Sequence, residues 1–254
     1  MSMVGFKLAK DKLDSVGCGF CLAKWTQVTM HLHNGTTHSC HHPIPHKVGL
    51  EEVSRNPTAL HNSKIKKQAR KEMLEGKRPS ECGYCWNVED NTNSYSDRVF
   101  KSSEPWSEPH FDDIAKSDWR DDFNPKYVEV SFSNTCNFKC AYCFDHANLG
   151  THRPPVVDDT LIKNITHLVK EVRKGDPNRQ IRWNLTGGEP TAQKGFGKLL
   201  SVMANADDNS YVGVVTNGTR PIAWWEKNIQ YVHRLIVSVH PESDIQHNID
   251  LLKA

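Results

Sequence analysis

Cys136-Asn137-Phe138-Lys139-Cys140-Ala141-Tyr142-Cys143 places three thiols within one short stretch, separated first by three residues and then by two. Just before it, Tyr127 to Phe132 is a run of β-branched and aromatic residues, and its composition predicts a strand. Three more strands are predicted downstream, at Ile181 to Leu185, Tyr211 to Thr216 and Leu235 to Val239. Between the first two, Leu161, Ile162, Ile165, Leu168, Val169 and Val172 recur at helical spacing after Asp158 and Asp159, and Gly175 with Pro177 ends the run. Shorter helical patterns cover Phe196 to Met203, Ile222 to Val232 and Ile245 to Leu252. Strands alternating with helices predict an α/β fold with a parallel sheet, whose ligand crevices open at the carboxyl ends of the strands. The three thiols sit on a loop at that end.

Three cysteines so placed match the chemistry of an iron–sulfur cluster. A 4Fe-4S cluster has four iron corners, and clusters that only pass electrons commonly take four cysteines. Three ligands leave one iron open to a small molecule. The competing reading is a zinc site completed by Asp145 or His146. A second motif, Thr186-Gly187-Gly188-Glu189-Pro190, follows the second predicted strand. Its glycines allow close approach of backbone to a ligand, and its carboxylate is suited to pair with an ammonium group. An ordinary strand-ending turn is the plain alternative.

The cysteine spacing, with an aromatic residue before the last cysteine, resembles the signature of the radical S-adenosylmethionine (SAM) superfamily, and Gly187-Gly188-Glu189 resembles its GGE motif. The resemblance implies an enzyme. Cys136, Cys140 and Cys143 would hold a catalytic 4Fe-4S cluster whose open iron binds the amino and carboxylate groups of SAM. A one-electron reductant would supply the cluster, and cleavage of SAM would give a 5'-deoxyadenosyl radical that abstracts hydrogen from a substrate. Tyr142 matches the position near the adenine; Gly187, Gly188, Glu189 and Pro190 match the SAM-contacting segment. Ser238 is placed to meet the ribose, and Thr216, Asn217 and His240 also fall at strand ends that line such pockets. The implied fold is a partial (βα) barrel, apparently truncated after about four strands where the family usually has six. That count leaves an edge strand to be paired or covered.

Residues 1–104 form a different region, rich in Cys and His, and predict a small module that depends on bound metal. Cys21, Cys40, Cys82 and Cys85 resemble the cysteines of the SPASM and twitch extensions of radical SAM enzymes, which implies a second 4Fe-4S cluster and leaves Cys18 spare. Those extensions usually follow the catalytic domain, whereas this region precedes it. A zinc site from Cys18, Cys21, Cys82 and Cys85 competes, because Cys-Gly-aromatic-Cys occurs twice. One helix is readable here, from Ser63 to Gly76. Residues 105–125 read as a polar linker, and 126–254 as the core domain.

The formal charge of +2 over 254 residues gives no pull toward polyanions or membranes. Neither an export signal nor a long apolar run is present, so a cytoplasmic protein with reduced thiols is expected. The basic stretch Lys64, Lys66, Lys67, Arg70, Lys71, Lys77 and Arg78 raises a second class of function: a non-catalytic zinc protein that binds nucleic acid. Glu72 and Glu75 interleave with those cations and weigh against it. Trp224 and Trp225 are read as packing residues. An auxiliary cluster hints at a peptide or protein substrate, while a nucleotide or other small molecule stays open.

Overall fold

The computed structural model describes residues 3–56, 58–143, 157–174, 180–206 and 209–254. The helix-ending Gly175 and Pro177, and the alternative zinc ligands Asp145 and His146, lie outside the described residues. The chain divides into two compact units, one of residues 1–29 and 36–127, the other of residues 30–35 and 128–254.

In the second unit, the strands are β4 (Tyr127–Ser131), β5 (Ile181–Thr186), β6 (Ser210–Thr216) and β7 (Arg234–Val237), with the end of β1 (Gln27–His31) beside β4. The order is β1-β4-β5-β6-β7. β5 pairs with β6 in parallel, Asn184 opposite Gly213, and β6 with β7 in parallel, Val215 opposite Ile236. This is the α/β fold with a parallel sheet. Leu32 N–H donates to the Ser131 carbonyl at 2.9 Å beside β4, and β7 stands at the end of the order. β1 escaped the sequence reading because Gln27-Val28-Thr29-Met30-His31 alternates polar and apolar residues too briefly to stand out.

Alternation along the strands explains the layers. Ile181, Trp183 and Leu185 on β5, Val128 and Val130 on β4, and Val212 and Val214 on β6 are all buried. Helices Asp159–Val172 and Phe196–Asn205 supply buried apolar stripes, Ile165, Val169 and Val172 from one and Leu199, Leu200 and Met203 from the other. Asp158 caps the first of these, accepting from Leu161 N–H at 2.8 Å. The intervening strand positions are polar or small: Asn184 donates to Glu129 at 3.0 Å, and Gly213 lies alongside. Trp224 and Trp225 pack edge to face at 5.0 Å, with Trp225 buried.

The first unit is more structured than its sequence suggests. Three strands, in the order β3-β2-β1, include the antiparallel pair β2 (Thr36–His38) and β3 (His46–Lys47). Helices Met3–Asp14, Lys64–Leu74, Gly83–Asn91 and Asp97–Ser102 surround a core containing Leu13, Phe20, Leu22, Trp25, Met73 and Trp86. The supposed linker is folded: Phe111–Ala115 is a helix, and Phe111 and Ile114 belong to the same core. Single apolar residues among prolines and aspartates show no period, although two of them suffice to anchor a turn of helix. The basic helix is also corrected as a nucleic-acid surface. Lys66 and Arg70 are buried, Lys67 pairs with Asp122, and Arg78 pairs with Asp90 at 2.7 Å. Among the described residues no helix is long and apolar enough to cross a membrane.

Candidate active site

The loop after β4 carries Cys136, Cys140 and Cys143, and its shape comes from what it rests on. Gly187 and Gly188 have φ of 93° and 53°, the left-handed region. A Cβ on Gly187 would strike the Ser131 hydroxyl, and one on Gly188 would strike the Thr135 carbonyl. The turn after β5 thus lies directly against residues 131–135, and Glu189 N–H donates to the Thr135 carbonyl at 2.9 Å. Only glycine fits there.

Above this floor is a cavity of about 250 Å³. All three cysteines line it, together with Tyr142, Gly187, Gly188 and, from the strand ends, Thr216, Asn217, Ser238 and His240. Residues scattered over more than a hundred positions of sequence therefore meet at the carboxyl ends of β4, β5, β6 and β7. Tyr142 is largely exposed, its hydroxyl 2.6 Å from His240 Nδ1 and the two rings inclined by 21° with their centroids 6.1 Å apart. Phe138 meets the same imidazole edge to face.

Two residues of the second motif do not line this cavity. Glu189 and Pro190 are buried beneath it. The Glu189 carboxylate accepts from Thr191 N–H at 2.9 Å, the Thr191 hydroxyl at 2.5 Å, the Thr216 hydroxyl at 2.8 Å and Asn217 N–H at 2.6 Å. These bonds join the end of β5 to the end of β6. Three of these donors share Oε1 and one meets Oε2. The carboxylate's reach to the cysteines is indirect. Asn217, fixed by Glu189, directs its carboxamide toward Cys136 Sγ at 3.9 Å and donates to Asn137 Oδ1 at 2.9 Å.

Two of these thiols are shifted upward. Burial pushes Cys136 up, opposed by the Phe138 N–H and reinforced by the charge of Glu189. Burial also raises Cys140, and its S–H donates to Glu242 Oε2 at 3.4 Å. Glu242 escaped the sequence reading because nothing in its local pattern ties it to a cysteine a hundred residues earlier. Taking up a metal group would release these protons. As they stand, no three His, Cys, Asp or Glu side chains among the described residues are grouped to hold a single metal ion.

Four of the five early cysteines also converge. Cys21, Cys40, Cys82 and Cys85 line one cavity with Lys24, His42, Asp97 and Arg98. Each sulfur faces a donor: the Ser102 hydroxyl at 4.0 Å from Cys21, the His42 N–H at Cys40, the Lys24 ammonium at Cys82, and the Arg98 N–H with the Ser96 hydroxyl at Cys85. Burial drives all four thiols upward, Cys82 to about 11. Cys18 stands apart from that cavity, exposed, its S–H donating to the Gly76 carbonyl at 3.2 Å.

Comparison with known proteins bears on the second unit. Residues 130–247 match the model of the Radical SAM superfamily. A GTP 3',8-cyclase of Haemophilus influenzae (strain PittEE) is 34% identical over 105 residues, which are 40% of this chain and 29% of that protein. The GTP 3',8-cyclase of Psychromonas ingrahamii is 28% identical over 119 residues, 44% of this chain and 33% of that protein. The chain thus spans about a third of the length of these curated relatives. A crystal structure of BtrN in complex with AdoMet and 2-DOIA aligns over 49% of this chain and 50% of its own with 17% identity and a TM-score of 0.41, a likeness that carries no argument. Over residues 130–247, somewhat less than half of its length, the chain is thus similar to the Radical SAM superfamily.

Proposed function

We propose that the chain binds a 4Fe-4S cluster through Cys136, Cys140 and Cys143 and cleaves SAM at it, generating a substrate radical. The observation that carries this is the cavity in which the three thiols share walls with Gly187, Gly188, Thr216, Asn217, Ser238 and His240. Those residues fit the group. Three thiols and no fourth cysteine line the cavity, and polar atoms from three strand ends face it.

When bound, the cluster would supply an electron to the SAM sulfonium, and the resulting 5'-deoxyadenosyl radical would be the hydrogen-abstracting species. The protein's own work is to bind and orient. Tyr142 and His240, joined by their hydrogen bond, form a wall for a flat ring, the place of the adenine. Ser238 and Asn217 offer hydrogen bonds to a ribose. Gly187 and Gly188 expose backbone to the amino and carboxylate end. Glu189 holds Asn217 and the end of β6 in position beneath. The open end of the cavity faces the substrate, and the electron comes from an external one-electron reductant.

The substrate is the finer part of the proposal. The relatives are named for a reaction of GTP, and their likeness covers 40% and 44% of this chain, so GTP is the first compound to test and a peptide is the second. Cys21, Cys40, Cys82 and Cys85 are assigned a second metal–sulfur group, supported by their common cavity and by the donor facing each sulfur. On this reading, residues 126–254 are the core of a partial barrel and the early region is an auxiliary module.

The test is anaerobic reconstitution with iron and sulfide, reduction, addition of SAM and measurement of 5'-deoxyadenosine. Cys140→Ala is expected to reduce its formation to background, and Cys85→Ala to leave a measurable rate without substrate. Undiminished product from Cys140→Ala would remove the ligand assignment.

A further inference from the structure

A lysine lies inside the cavity of the early cysteines. Lys24 is 2% exposed and lines the same space as Cys21, Cys40, Cys82 and Cys85. Its Nζ is ion-paired with Glu81, whose side chain remains 24% exposed, and it is within hydrogen-bonding reach of Cys82. Lysine is almost never buried this fully without strong compensation. One partly solvated carboxylate is a thin counterpart for a charge removed from water.

The other cations around this cavity are differently placed. Arg98 directs its guanidinium to Glu89 at 2.8 Å and to Asp14 at 2.9 Å, and to the Phe20 carbonyl at 3.0 Å. Lys101 is only half-buried. Lys24 is the buried point charge that the sulfurs themselves share with Glu81. Four thiolates around an iron–sulfur cluster carry net negative charge, and the charge grows by one when the cluster takes up an electron. A fixed cation against one of those sulfurs favours the more negative state, because reduction potential follows net charge, hydrogen bonds to sulfur and solvent exposure.

We propose that Lys24 sets the reduction potential of the group held by the four early cysteines, raising it, and that Glu81 moderates the effect by neutralising part of the lysine's charge. This rests on the reading that these cysteines hold an iron–sulfur cluster. The redox step takes one electron from an external reductant and forms or breaks no covalent bond. Lys24 is a positioning residue, acting on the cluster through Cys82, and it makes the early site an electron-accepting centre as well as a structural one.

The experiment uses the full chain with Cys136, Cys140 and Cys143 replaced by Ala, so that any iron–sulfur signal belongs to the early site. After anaerobic reconstitution, iron and sulfide are counted, and the midpoint potential is read by potentiometric titration followed by electron paramagnetic resonance. In that parent, Lys24→Met is expected to make reduction at least tenfold less favourable, a shift of 59 mV to more negative potential for one electron. Lys24→Arg should recover most of the parent's value. Glu81→Gln should move the midpoint the opposite way, to more positive potential. If Lys24→Met fails to retain iron, the direction of the Glu81→Gln shift decides.

Unchanged midpoints with full iron and sulfide would overturn the role of Lys24 and leave the four-cysteine cluster standing. A parent that takes up zinc, or no iron, would overturn the cluster reading itself.

Discussion

Glu189 shows how much of a motif residue's surroundings lies outside the motif. Its position after two glycines, in a motif that contacts SAM, points to a ligand carboxylate. In the fold it is 1% exposed and accepts from four donors. Replacing it with Gln substitutes a donor for an acceptor against N–H and hydroxyl groups that have nowhere else to turn. We expect Glu189→Gln to cost about 1–3 kcal/mol of stability, the penalty of unsatisfied buried polar groups, measured by denaturant unfolding of the metal-free chain. An unchanged midpoint would show that these donors find other partners. Gly188→Ala forces a side chain into the left-handed region at φ 53° and toward the Thr135 carbonyl. A loss of about 1–3 kcal/mol is expected from the backbone alone, together with weakened SAM binding by calorimetry. Both residues stand out in the sequence; which strand end Glu189 meets depends on β6, further along the chain, and no local pattern carries that.

At the scale of elements, the helix Lys64–Leu74 was legible and its neighbours were not. Ser63 caps it, accepting from Lys66 N–H at 3.3 Å, and Gly76 follows it with φ 74°, so both ends obey rules readable from composition. The helices Gly83–Asn91 and Phe111–Ala115 are short, and each buries only one or two apolar side chains besides the cysteines. A hydrophobic period needs more repeats than that. The same helix presses Arg70 and Lys66 toward His61, which is buried, with Nε2 2.7 Å from the Trp25 carbonyl. Burial, then the charges of Arg70 and Lys66, hold His61 well below the usual histidine range. On unfolding, the imidazole regains its ordinary pKa of about 6.5 and takes up a proton. Its contribution to stability is therefore complete above about pH 6.5 and declines as pH falls below that value. Denaturant unfolding of the metal-free chain should weaken between pH 7 and pH 5, and His61→Gln should show a shallower slope, by up to about 1.4 kcal/mol per pH unit. Identical slopes would contradict a neutral, buried His61.

For the whole molecule, the division of labour between two groups of cysteines is the organising feature. The late three stand on a parallel sheet whose strand ends gather the cavity; the early four lie in a unit with its own core of Phe20, Trp25, Met73 and Trp86. The alternation of strands and helices after Pro125 was plain in the sequence because each strand is long enough to show its composition. β1 and the early strands were hidden by their brevity. The match over residues 130–247 spans the late group alone, and the central claim of the proposal is the iron that three cysteines would leave open. The most direct measurement is pulsed electron paramagnetic resonance of the reduced chain before and after addition of SAM labelled with ¹⁵N at its amino group. The account predicts a changed cluster signal and a hyperfine coupling from the label, both absent in Cys140→Ala. A cluster spectrum indifferent to SAM, with no coupling to the nitrogen, would contradict it.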